Sequence, residues 1–392
     1  MAKKKFALVL SGGAFRGAFQ LGALRYLKDN WTKIDPDSEN GAMKFDIVTG
    51  VSVGALNGVL IASNKFDELN ELWEKVRNEG PKAIYTSDFI DTSSQSDTLQ
   101  FKIDSQKLLA RFLPGTSKKF SFWTILKILV LTNFRKKFIK QATEEFKENF
   151  KTFRSLADNQ PLQAKLKDYV NIDSVKDCIF KCGFVSLNNG RYYSFQPNEF
   201  NSDEDFRKAV LASTAIPIVW EPVKEIQLKK DAEILKNTVD GGVRNVGPIA
   251  EVIKEIGEGE EFVIVIINCR SVELEEWGNR STDIASIALR SLNEIAITEI
   301  FNSDYETFLK INDILDQLHN SGPPCDKPIL DYDYYTGQRG NRKLRKFKSI
   351  IIQPDRNQLG DELVVTPEII DRRIEIGRQK AEEAVKVYLA QN

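Results

Sequence analysis

The residues Gly50-Val51-Ser52-Val53-Gly54 set a serine between two glycines, after the apolar run Phe45-Asp46-Ile47-Val48 and before a helix-like segment from Ala55 to Ser63. Strand, tight turn and helix around G-x-S-x-G form the nucleophile-elbow pattern. A Cβ at either glycine would collide with the strand or the helix. The turn lifts the hydroxyl of Ser52 clear of the backbone at the positive end of a helix. Such a serine attacks acyl carbons. A Gly-rich loop with an internally satisfied hydroxyl would carry the same letters, so the reading depends on what else the chain brings to Ser52.

One unit upstream, Ser11-Gly12-Gly13-Ala14-Phe15-Arg16-Gly17 follows the apolar run Phe6-Ala7-Leu8-Val9-Leu10 and leads into a segment marked as a helix by Leu21, Leu24 and Leu27. Strand, Gly-rich loop and helix is an arrangement that binds anions through backbone N–H groups. As a dinucleotide site the loop is a degenerate G-x-A-x-x-G, without an acidic residue in a suitable place about 20 residues on. As an oxyanion hole, the N–H groups of Gly12, Gly13 and Ala14 would face the charge that develops during acyl transfer. An elbow serine one βα unit later favours the second use.

A serine hydroxyl is a weak nucleophile and needs a positioned base. The chain holds a single histidine, His319. The order Ser52, Asp240, His319 is that of the ordinary α/β-hydrolase triad. In that fold, however, several strands precede the elbow, whereas residues 1–48 have room for two. His319 also falls in Leu318-His319-Asn320-Ser321-Gly322-Pro323, which reads as a polar loop. The other candidate is a carboxylate acting directly, Asp240, in the Gly-rich turn Asp240-Gly241-Gly242.

Taken in order, Gly12-Gly13-Ala14-Phe15-Arg16-Gly17, Gly50-Val51-Ser52-Val53-Gly54 and Asp240-Gly241-Gly242 resemble the three signatures of the patatin-like phospholipases. The segment Ala212-Ser213-Thr214-Ala215-Ile216-Pro217, with Pro222, is similar to a fourth block of that family. The likeness covers residues 6–75 and 175–270 and is weak across 80–170. Ser11 and Ala14 stand where the family often has Asp and Gly; since the backbone N–H does the work, Ala is tolerable there. The resemblance implies a three-layer α/β sandwich with a mainly parallel or mixed central sheet, helices on both faces and a mostly helical insertion. It also implies a serine–aspartate dyad that hydrolyses phospholipid or lysophospholipid esters, with Ser52 as nucleophile, Asp240 as base, the Gly12–Ala14 loop as oxyanion hole, and no metal or cofactor. Arg16 would orient that loop or face a lipid phosphate. A non-catalytic nucleotide- or lipid-binding module built on the Gly-rich loop is the reading from another class.

The elements that must position these residues are legible in outline. Phe262–Cys269 and Ser349–Gln353 are apolar strands, with a helical segment, 284–309, between them. Asp177–Ser186 and Arg191–Phe195 flank Leu187-Asn188-Asn189-Gly190, a hairpin signal. Thr366-Pro367-Glu368 opens a last helix, with Thr as N-cap and Pro in the first turn. Apolar strands alternating with helices predict one parallel or mixed sheet covered on both faces. We read residues 1–392 as one domain carrying an insertion over 81–170.

Composition narrows the class. A hydrophobic content of 42% supports a large core, and a net charge of −1 gives no reason to expect a nucleic acid partner. Four cysteines without paired metal spacing suit free thiols in a cytosolic protein. Residues 118–151 depart from the average, with nine basic and three acidic side chains. There Phe120-Ser121-Phe122-Trp123 opens an apolar run flanked by Arg135, Lys136, Lys137 and Lys140. An apolar face with basic flanks suits peripheral contact with an anionic membrane, and a buried helix with a solvated lysine rim has the same pattern. On the membrane reading, the protein sediments with anionic vesicles, less so in high salt, and neutralising Lys136, Lys137 and Lys140 reduces sedimentation.

Overall fold

The computed structural model describes residues 4–91, 153–230, 233–274, 290–320 and 339–391, with 102–103, 107, 111, 276, 287 and 330–332 between them. The stretch holding Trp123, Lys136, Lys137 and Lys140 lies outside the described residues.

The apolar runs form strands of an eight-stranded sheet. In chain order these are β1 (Lys5–Leu10), β2 (Ile47–Val51), β3 (Ile179–Ser186), β4 (Tyr192–Phe195), β5 (Val223–Gln227), β6 (Ile234–Asp240), β7 (Phe262–Ile267) and β8 (Lys348–Ile352). Along the main path they stand β8-β7-β1-β2-β3-β6-β5, with β4 hydrogen-bonded to β3 as a hairpin. From β8 to β3 all neighbours are parallel, while β6 and β5 run antiparallel. The sheet is therefore mixed, with its parallel half deepest in the protein. β7 is buried at every residue, as strands covered on both faces must be.

Side-chain alternation along β1 divides the core. Phe6, Leu8 and Leu10 join one hydrophobic cluster with helices α1 (Gly17–Asp29), α2 (Val53–Ala62) and α3 (Phe66–Glu79). Ala7 and Val9 face the other way, packing with Ile249 and Val252 of α6 (Ile249–Glu255) and Phe308 of α7 (Ile297–Asn320). On the first face lie also α4 (Gln160–Tyr169), α5 (Asp203–Thr214) and α8 (Pro367–Ala390). This is a three-layer α/β sandwich. No helix among the described residues is long and apolar enough to cross a membrane.

Two ends of the expected insertion meet at its root, where Thr86 and Asp158 exchange backbone hydrogen bonds of 2.9 and 2.8 Å. Its described parts are not all helical, for Ile90–Asp91 pairs antiparallel with Lys102–Ile103. The last helix begins as its sequence implies, the Thr366 hydroxyl accepting from the Ile369 N–H. α8 packs backbone to backbone on α1. A Cβ at Gly377 would sit 2.0 Å from the Phe19 carbonyl oxygen, and one at Gly22 would sit 1.9 Å from that of Ile374. Gly377→Ala is therefore expected to force the two helices apart at a cost of at least about 2 kcal/mol, read as a lowered denaturant midpoint with unchanged m-value.

Candidate active site

The C-terminal ends of the parallel strands carry the site. β2 ends at Val51, and Ser52 follows with φ 57° and ψ −129°, a left-handed conformation that strains a non-glycine residue. The close approach of α2 demands it. A Cβ at Gly54 would fall 2.2 Å from the Leu10 carbonyl oxygen, and one at Gly50 the same distance from the Gly54 carbonyl oxygen. Ser52 is 6% exposed.

Asp240 arrives at the same place from the opposite direction, and strand register brings it there. Gly183 of β3 is paired with both Val51 and Ser194, so β2 and β4 lie on opposite edges of β3. The next residue, Phe184, is paired with both Tyr193 and Asp240, so β6 shares the β2 edge. β2 and β6 thus meet end to end along one edge, opposite consecutive residues. The Asp240 carboxyl stands beside the Ser52 side chain, and the Gly242 N–H donates to Asp240 Oδ1 at 2.7 Å. Burial pushes the carboxyl up from 3.8 to about 7. The Ser52 side chain and the Gly242 N–H oppose that rise, Glu362 reinforces it and Arg270 counters it.

The segment 212–217 holds both residues. Ser213 Oγ accepts from the Ser52 N–H at 3.0 Å, and the Ala215 carbonyl accepts from the Asp240 N–H at 2.9 Å. The sequence showed the block without showing this task, because the partners come from three separated stretches of chain. A second link was also missed. Trp73 Nε1 donates to Asn57 Oδ1 at 3.0 Å, Asn57 Nδ2 to Gln20 Oε1 at 2.9 Å, and Gln20 Nε2 to the Ser11 carbonyl at 2.8 Å. Gln20 and Asn57 are fully buried, so their amides must be satisfied internally. The visible signal was an Asn and a Gln inside otherwise apolar helical runs.

The Gly-rich loop passes beside the serine, for a Cβ on Gly12 would lie 3.2 Å from Ser52 Cβ. Its N–H groups are not equivalent. That of Gly12 donates to the Val246 carbonyl at 3.0 Å, and that of Phe15 to the Glu362 carbonyl at 3.0 Å. The N–H groups of Gly13 and Ala14 have no acceptor among the described residues. Ala14 takes a φ of 45°, so the alanine adopts the left-handed backbone that glycine would adopt freely. Arg16 Nε donates to the Gly360 carbonyl at 2.8 Å, and Gly17 begins α1. Gly241 and Gly242 form the turn after Asp240.

Ser52 lines a cavity of about 500 Å³, its open mouth included, together with Phe15, Leu56, Trp73, Leu162 and Trp220. Thr214 is the other hydroxyl on the wall among the described residues. His319 stands in the last turn of α7, not in the polar loop expected of it, because the amphipathic pattern of Ile297–Asn320 carries the helix through that position.

A strained serine on a strand-to-helix turn thus stands beside a buried carboxyl and an apolar cavity, in a three-layer sandwich. The patatin-like phospholipase model matches residues 8–253, more than half of the chain, and the chain belongs to that family. Two solved structures are similar over 98% of this chain at 13% identity. VipD from Legionella pneumophila has a TM-score of 0.41 with 67% of its own chain covered, and the type III effector protein ExoU has 0.33 with 53% covered. No curated protein matches the sequence.

The electrostatics of Asp240 carry a consequence for stability. Its folded value of about 7 lies above its ordinary 3.8, so the stability it contributes is complete below pH 4 and lost as pH rises through 7. Asp240→Asn removes that dependence. The variant's stability relative to the wild type is expected to climb between pH 4 and pH 7 and then level off, by up to about 4 kcal/mol, measured by denaturant unfolding across pH.

Proposed function

We propose that the chain hydrolyses carboxylic esters of membrane phospholipids or lysophospholipids through an acyl-enzyme on Ser52, with Asp240 as the general base. The observation that carries this reading is the placement of the Ser52 side chain beside the buried Asp240 carboxyl at the wall of an apolar cavity. Ser52 Oγ forms a bond to the ester carbonyl carbon while its proton passes to Asp240. The tetrahedral oxyanion is held by the N–H groups of Gly13 and Ala14, with that of Val53 beside them; the N–H of Gly12 is already engaged by Val246. The C–O bond to the leaving alkoxide then breaks, and Asp240 returns the proton to it. In the second half, Asp240 takes a proton from water as the water attacks the acyl carbon, and Ser52 leaves as the hydroxyl.

A buried carboxyl beside Ser52 supports a dyad through Asp240 rather than a triad through His319. The apolar walls suit an acyl chain, and the family supports a lipid substrate. Contact with an anionic membrane through residues 118–151 is part of the same proposal.

A fluorophosphonate is expected to label Ser52, and digestion of a lipid extract, read by mass spectrometry, to release fatty acids. Ser52→Ala and Asp240→Asn should each lose at least about 100-fold in kcat/KM. An unlabelled, folded wild-type protein, or full activity in Ser52→Ala, overturns the reading. Because the base must be ionised, kcat/KM of the wild type should rise through about pH 7 to a plateau.

A further inference from the structure

An oxyanion hole works only if its donors are fixed to within a fraction of an ångström. The donors beside Ser52 sit on irregular backbone, and Ala14 is held in a left-handed conformation that must be imposed from outside. Two of the anchors that impose it come from one distant segment, the loop between β8 and α8. The Phe15 N–H donates to the Glu362 carbonyl at 3.0 Å, and Arg16 Nε to that of Gly360 at 2.8 Å.

That loop is built around a buried cation. Arg373, on the first turns of α8, is 1% exposed, and its guanidinium serves three main-chain carbonyls of the same loop. Nε donates to Leu359 at 3.0 Å, Nη1 to Val364 at 3.1 Å and Nη2 to Asp361. A second buried guanidinium, Arg270, is paired with the Glu362 carboxylate. Burying a guanidinium is costly, and burial pulls that of Arg373 down to about 9, still charged at neutral pH. Neither arginine reaches the cavity wall, so their contribution is the shape of the loop. All of these supports lie beyond residue 253, where the family match ends.

We propose that Arg373 is a positioning residue for the oxyanion hole, setting the 359–364 loop so that Glu362 and Gly360 hold Phe15 and Arg16 and thereby aim the N–H groups of Gly13 and Ala14. The proposal rests on the acyl-enzyme reading above. It assigns part of the catalytic apparatus to the C-terminal segment.

The test uses the full chain and a soluble short-chain p-nitrophenyl ester, with active sites counted by fluorophosphonate so that unfolded protein does not enter kcat. Arg373→Ala is expected to lower kcat per labelled site by about 10- to 100-fold with KM changed less than about threefold, and millimolar guanidinium to restore part of the loss. Arg16→Met cuts the link at its other end, the bond to the Gly360 carbonyl, and is expected to lower kcat in the same way. Arg378→Met, on the exposed face of the same helix, is expected to match the wild type. Wild-type kcat per labelled site in either Arg373→Ala or Arg16→Met overturns the proposal, as does a loss confined to KM. If Arg373→Ala does not fold, Arg16→Met decides. A wild-type protein that is not labelled at Ser52 overturns the acyl-enzyme reading itself, a failure distinct from labelled variants with unaltered turnover.

Discussion

The meeting of Ser52 and Asp240 depends on a register, and much of the molecule exists to keep that register. β2 and β6 share one edge of β3 and meet end to end, opposite Gly183 and Phe184. Side chains alternate faces along a strand, so a one-residue slip of β6 would turn the carboxylate to the other face of the sheet. The hairpin of β3 and β4 holds the outer edge, and the apolar layers on both faces leave no alternative pairing that keeps the core buried.

Around that meeting point, polar groups are spent on orientation. Ser213 and Ala215 take one N–H each from Ser52 and Asp240. The chain from Trp73 through Asn57 and Gln20 to Ser11 ties the helix after the elbow to the loop before α1. Satisfied buried networks of this kind are rigid, since breaking one member strands the others in a low dielectric. The same dryness raises the Asp240 carboxyl to about 7, placing a carboxylate in the range where a general base works near neutral pH. Structure and chemistry thus draw on one physical fact, the burial of Ser52 and Asp240 at the end of β2.

The motifs of the candidate site were legible in the sequence because they are local. Glycines at 50 and 54 mark the elbow through steric demands within five residues, and Asp240-Gly241-Gly242 marks a turn in the same way. Apolar runs gave the strands, and Thr366-Pro367 the last helix start. The supports were not legible. Ser213 lies 161 residues from the N–H it accepts, and Arg16 lies 344 from the carbonyl it grips. Such pairings have no period and no spacing. The reading of His319 as a loop residue failed for a related reason, since the Gly and Pro that follow it suggested a break earlier than the helix makes one.

The sequence by itself determined which residues can do chemistry here. A serine on a glycine-flanked turn, a carboxylate before two glycines and a Gly-rich loop after an apolar strand are properties of short segments, set by backbone sterics. Only the tertiary structure decided how they combine. It showed that Asp240 meets Ser52 because two strands share an edge, and that Gly12 has its N–H engaged while those of Gly13 and Ala14 have no acceptor among the described residues. It also showed that the C-terminal loop accepts hydrogen bonds from Phe15 and Arg16. These depend on contacts between segments hundreds of residues apart, which packing of the whole sheet creates and no local pattern encodes.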